Sequence, residues 1–262
     1  MKKILFISVI IASLIILVLS RAAYQEKLNN LSSNATSPSG VEIPENEEAK
    51  TPEAPTQETN RNIKGIIGSW FDDNPDKEAI HLTYFGSVSL VNQEDKSTSW
   101  PNLVSDSLSE QLASIEVNDS LIEVGRLTTD VVIEEGYVDE VIATTPDIIL
   151  FEPFILNNNG NIFIEDSLEM TELIMSSFEQ SLPDTTIILM PPNPLYGTIF
   201  YQEQVSTLKT FADENDYLFA NHWEAWPPTD NENLEDHLTD GRPNTEGHEI
   251  WASYMIDYLI TD

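Results

Sequence analysis

Four short blocks of the sequence hold residue types that acyl-transfer chemistry uses. In Phe85-Gly86-Ser87-Val88-Ser89, two hydroxyls follow a glycine. A serine in such a turn, at the start of a helix, stands beside unpaired amides that favour developing negative charge. Gly125, in Gly125-Arg126-Leu127-Thr128-Thr129-Asp130, has no side chain to keep a ligand oxygen away from its amide. Glu152-Pro153-Phe154-Ile155-Leu156-Asn157-Asn158-Asn159-Gly160 offers asparagine amides as oxyanion donors, and the sequence leaves open which Asn serves. Near the C-terminus, Asp240-Gly241-Arg242-Pro243-Asn244-Thr245-Glu246-Gly247-His248 supplies a carboxylate and an imidazole. Taken singly, each block is equally an ordinary turn with its cap.

A serine nucleophile needs a base, and the imidazoles are His81, His222, His237 and His248. His81 falls inside an apolar run, whereas His222 follows one, in Asn221-His222-Trp223-Glu224-Ala225-Trp226-Pro227. His237 and His248 flank Asp240. The chain has no cysteine, which excludes disulfides, thiolate nucleophiles, cysteine-rich zinc sites and a lipid-modified cysteine. No metal or other cofactor is expected.

These blocks must be held by a scaffold, and the hydrophobic pattern predicts one. Ala79–Phe85, Ser120–Val124, Asp147–Phe151, Thr185–Met190 and Tyr217–Ala220 read as strands. Trp100–Ile115, Thr129–Ala143, Ser167–Ser181, Gln202–Asn215 and Thr245–Ile260 read as the helices between and after them. Strands alternating with helices predict an α/β fold, a three-layer α/β/α sandwich around a central parallel sheet of about five strands. Ligands of such sheets sit outside the carboxyl ends of the strands, and each block follows a strand or opens the closing helix. Pro191-Pro192-Asn193-Pro194-Leu195-Tyr196, with Trp223 and Trp226, would wall a groove at that end.

Ahead of this region, Met1-Lys2-Lys3 and the apolar run Ile4–Leu19 form a charged start feeding a hydrophobic segment into a membrane. Residues 1–22 are read as a signal peptide or a retained anchor, residues 23–61 as an acidic, Pro-rich linker without the apolar residues to fold, and residues 62–262 as the folded domain. The protein is expected to be exported, either anchored on the outer face of the cell membrane or secreted. With 45 acidic against 12 basic residues the net charge is −33, which repels nucleic acid and anionic lipid. Membrane contact is expected through the N-terminal segment alone, and the domain is expected to be a monomer. Past the linker the basic residues are Lys64, Lys77, Lys96, Arg126, Lys209 and Arg242.

In their order, the Gly-Ser turn, the glycine, the asparagine and the Asp/Pro-Asn-x-x-Gly-His block resemble the SGNH/GDSL-type hydrolase family of esterases and lipases. The resemblance runs from about Glu78 to the end. It implies a flavodoxin-like α/β/α domain without metal or cofactor. A serine would attack an ester carbonyl, an aspartate-oriented histidine would take its proton, and serine, glycine and asparagine amides would stabilise the oxyanion. Carried onto this chain, Ser87 is the nucleophile if one residue is deleted from the family's Gly-Asp-Ser, with Ser89 as the alternative. Gly125 and Asn157 become the oxyanion donors and Asp240 the orienting acid. The family's histidine directly before Pro-Asn is replaced by Arg242, whose pKa above about 12 bars it from acting as a base. His248 or His222 must then substitute.

The resemblance thus implies an exported ester hydrolase or acyl transferase acting on an acylated carbohydrate of the envelope or surroundings, or on another small ester. The departures imply the alternative, a catalytically degenerate relative that binds a cell-surface polymer or partner. A surface spacer without a pocket is the third reading.

Overall fold

The computed structural model describes residues 63–112 and 115–261. The expected leader (1–22) and linker (23–61) lie outside the described residues. Helix α1 (Gly65–Asp73) precedes β1 (Ala79–Gly86), and α2 (Trp100–Gln111) leads to β2 (Glu116–Glu123). Two short helices, α3 (Thr129–Glu134) and α4 (Tyr137–Ala143), connect to β3 (Ile148–Phe151). Then come α5 (Ile155–Asn158), α6 (Ile164–Ser181), β4 (Thr186–Leu189), α7 (Ile199–Glu214) and β5 (Leu218–Phe219). A small hairpin, β6 (Leu238–Thr239) with β7 (Arg242–Pro243), precedes α8 (Thr245–Ile260).

The five strands β1 to β5 form one parallel sheet in the order β2-β1-β3-β4-β5. Side chains alternate across it as the period-two geometry of a strand requires. Ile80, Leu82, Tyr84, Ile148, Leu150 and Ile188 face a core shared with α1, α2 and α8. Phe85, Ile149, Phe151 and Leu189 face the opposite core, against α3, α4, α6 and α7. Because both faces are covered, β3 is buried at every position, and this is why its sequence is an unbroken apolar run. The result is the expected three-layer α/β/α sandwich. On one face Trp100 stacks on Trp251 with ring centroids 4.9 Å apart. On the other, Phe85 stacks on Phe151 at 5.1 Å and meets Phe154 and Phe178 edge-on. Strands β2 and β5 are the edges, and Glu116, Asp119 and Glu123 on β2 disfavour pairing with another chain.

Three local features depart from the sequence reading. The helix expected over Thr129–Ala143 is broken at Gly136, whose φ of 82° lies outside the helical region. Strand β2 begins four residues earlier than Ser120, because it pairs along the whole of β1 from Ala79↔Glu116 onward. Helix α1 was not anticipated, and it buries Ile67, Trp70 and Phe71 against α8.

The chain order reverses at β1, which lies between β2 and β3. That topological switch brings the carboxyl ends of β1 and β3 side by side, with Phe85 in register with Phe151. Gly86-Ser87 and Glu152 emerge together from this point.

Candidate functional site

Ser87 leaves β1 as the cap of a single 3-10 turn, Val88–Leu90, and its Oγ accepts from the Ser89 amide at 3.2 Å. The hydroxyl itself donates to Glu152 Oε2 at 2.8 Å, and the Ser87 amide donates to the same oxygen at 3.0 Å. Both residues are buried. Gly86 makes this approach possible, since a Cβ there would sit 2.8 Å from the Cβ of Glu152. Burial pushes the Glu152 carboxyl up to about 8 against the opposing pull of the two Ser87 hydrogen bonds, which favours its neutral form at pH 7. Its second oxygen, Oε1, is buried without a hydrogen-bond partner.

The second serine is tied down as well. Ser89 is buried, and its Oγ donates to Asn193 Oδ1 at 2.8 Å. Asn193, itself fully buried, donates through Nδ2 to the Pro194 and Gly241 carbonyls, each at 3.1 Å. This side chain clamps the β1 turn to the Asp240 block. Sequence reading placed it in a groove wall and missed the clamp, because its partners lie 104 and 48 residues away.

The expected oxyanion donors all face acceptors of the chain itself. Gly125 adopts a left-handed φ of 64° and donates its amide to Glu123 Oε1 at 2.6 Å. Its carbonyl accepts from the Val88 amide at 2.8 Å. Asn157 Nδ2 donates to the Leu127 carbonyl at 2.8 Å and to the Gly125 carbonyl at 3.3 Å. Asn158 is buried and binds Thr129 and Ser167, so Asn157 and Asn159 are the members of that run that reach the cleft.

None of the four imidazoles hydrogen-bonds Ser87 or Ser89. His248, fully buried on α8, accepts the Trp100 amide on Nδ1 at 3.2 Å, and burial lowers its pKa to about 4. His222 lies flat on Trp251, ring centroids 3.9 Å apart, accepts from Trp226 Nε1 on Nδ1 at 3.0 Å and donates from Nε2 to the Pro191 carbonyl at 2.8 Å. Burial lowers its pKa to about 3. His81 bonds Ser120 Oγ at 3.0 Å, and His237 Nδ1 lies 3.5 Å from Glu246 Oε2. His222 and His248 are thus neutral packing rings on the α8 side of the sheet.

Asp240 and Gly241 form the two-residue loop of the β6–β7 hairpin, both with positive φ, 52° and 73°. Asp-Gly is a preferred pair for such a loop, so the hairpin by itself accounts for the aspartate. The exposed Asp240 carboxylate still lines the site, in a cleft of about 410 Å³. Val88 and Ser89 line the cleft too, together with Arg126, Arg242, Asn157, Asn159 and Asn161. Ser87 does not line it. Read without a deletion, Gly86-Ser87-Val88 puts Val88 where Gly-Asp-Ser carries its serine, and Val88 is the residue that faces the cleft.

No protein-family model matches the chain, and no curated protein does. Solved structures do. A lipase/acylhydrolase from Enterococcus faecalis is 16% identical with a TM-score of 0.55, the match covering 68% of this chain and 93% of that one. An acetylxylan esterase from Geobacillus stearothermophilus, solved as a catalytic mutant, is 17% identical with a TM-score of 0.53, over 71% and 96% of the two chains. A two-domain esterase active on acetylated mannans is 14% identical with a TM-score of 0.56, over 76% of this chain and 54% of that one. At these identities what is shared is the fold, that of GDSL-type lipases and esterases.

Proposed function

We propose that this domain is a binding relative of the esterase fold, which takes a cell-surface polymer or partner at the strand-end cleft without a serine triad. One observation carries the reading: Val88 and Arg242 face the cleft at the places where the family resemblance calls for nucleophile and base. A valine has no nucleophilic atom, and a guanidinium cannot accept a proton at neutral pH. The engaged amides of Ser87 and Gly125 support the same reading, since an oxyanion hole requires donors left free for the transition state. Export, inferred from the N-terminal charged and apolar run, would carry the cleft to the envelope surface, where acylated and other glycans are at hand. The experiment is labelling of the full-length chain with a fluorophosphonate, alongside turnover of a small acetyl ester. No label and background turnover are expected, while stoichiometric labelling of one serine overturns the reading.

A second reading, ester hydrolysis or acyl transfer on an acylated carbohydrate, is favoured by the Ser87–Glu152 hydrogen bond. A carboxylate within 2.8 Å of a serine hydroxyl is placed to take its proton once ionised. On that reading Ser87 acts with Glu152, aided by Asp240 and a displaced His248, with Gly125 and Asn157 freed to donate. Turnover that rises through about pH 8 and disappears in Ser87→Ala would establish it.

A further inference from the structure

Resting on the binding reading above, we infer that the cleft recognises a saccharide unit bearing one acid group. The acid would sit on the guanidinium groups of Arg126 and Arg242, and the hydroxyls on the amide of Asn159 and the side-chain oxygens of Asn157 and Asn161.

The two arginines are the only ones between residues 63 and 262, and both line the same cleft. In a chain of net charge −33 an arginine has carboxylates in abundance to pair with, yet neither Arg126 nor Arg242 forms an ion pair with a described residue. Asp240 shares the cleft with them and still forms no ion pair with either. Arg242 Nε is in addition buried without a hydrogen-bond partner. Unspent guanidinium donors of this kind match the planar oxygens of a carboxylate or phosphate.

The rest of the lining sets the carrier. The Asn159 amide can both donate and accept, which suits a carbohydrate hydroxyl that does the same, while Asn157 and Asn161, whose Nδ2 groups donate to carbonyls of the chain, offer their Oδ1 acceptors. Asp240 offers acceptor oxygens to further hydroxyls. The overall charge sets the density of acid groups. A polyanion would be repelled by the surrounding surface, whereas a single acid group in the cleft meets two guanidinium groups against the one carboxylate of Asp240. The ligand is therefore an isolated acid on an otherwise neutral sugar.

Isothermal titration of the full-length chain in a non-ionic detergent tests this with glucuronic acid, a hexose phosphate and glucose. Both acids are expected to bind and glucose to bind at least about tenfold more weakly, the ratio of the two acids telling carboxylate from phosphate. Arg126→Gln, at an exposed position where folding is not at risk, and Arg242→Gln are each expected to weaken the acids about tenfold or more and leave glucose unchanged. Equal affinity for all three sugars, acid binding untouched by both substitutions, or no binding of either acid overturns the inference. The parent reading is judged separately by the fluorophosphonate assay, so an unlabelled chain that binds neutral sugar keeps it while this inference falls.

Discussion

Ser87 Oγ lies 2.8 Å from Glu152 Oε2, and the hydroxyl donates into a carboxyl group that is wholly buried. The serine that resembles a nucleophile therefore serves as the polar partner of an acid beneath the cleft floor. Ser87→Ala removes one of the two hydrogen bonds to that oxygen, and is expected to lower stability by about 1–2 kcal/mol. Urea unfolding at pH 7 measures it. Turnover of an acetyl ester is expected to be the same in the variant and the parent, and a Ser87-dependent fraction would return the site to catalysis.

The same acid makes stability depend on pH. Its folded pKa of about 8 lies above the ordinary 4.5, so its contribution is fully present below about pH 4.5 and is lost as pH rises through 8. Glu152→Gln keeps the shape and stays neutral throughout. Melting temperatures of parent and variant are expected to converge near pH 5 and to separate at pH 8.5, with the variant higher. A constant difference across that range would mean that Glu152 titrates normally.

Histidines give the opposite slope. His222 and His248 have folded pKa values of about 3 and 4 against an ordinary 6.5, so their neutral burial stabilises above pH 6.5 and is lost as pH falls towards those values. Proton NMR is expected to show both rings neutral at pH 5. A protonated His248 at that pH would contradict its burial on the inner face of α8.

Why the scaffold was legible and the site less so follows from the range of the interactions. Strand β3 announces itself because burial on both faces demands an apolar run. Helix α1 escaped because Gly65 and Gly68 weaken its local signal. Gly68 sits where a Cβ would lie 2.4 Å from the Ile63 carbonyl oxygen, so packing rather than propensity chose it. The site hangs on pairs such as Ser89–Asn193 and Ser87–Glu152, which no local pattern reveals. The one-residue ambiguity in Gly86-Ser87-Val88-Ser89 was decisive, because Ser87 is turned to Glu152 while Val88, one residue on, lines the cleft.

Asp240 separates a loop role from a catalytic one. At φ 52° asparagine is as well tolerated as aspartate, whereas a β-branched residue is strained. Asp240→Asn is expected to leave stability within about 0.5 kcal/mol, and Asp240→Val to cost about 1–2 kcal/mol. Urea midpoints at pH 7 decide it, and equal losses in both would point to a role for the charge itself.

If Val88 and Arg242 occupy the places of nucleophile and base, the pair Val88→Ser with Arg242→His supplies a hydroxyl and an imidazole where the chain now has a methyl group and a guanidinium. Asp240 would then stand two residues before the new imidazole. The Gly125 amide is still held by Glu123 at 2.6 Å, so oxyanion stabilisation stays incomplete and activity should be slight. The double variant is expected to be labelled by a fluorophosphonate and to cleave a small acetyl ester about tenfold above the parent, with each single variant at background because neither group acts without the other. Adding Glu123→Gln, which loosens the carboxylate's hold on that amide, should raise the rate further. A double variant that folds, as judged by its melting curve, but takes up no label would show that the cleft never presented these two positions to a common substrate.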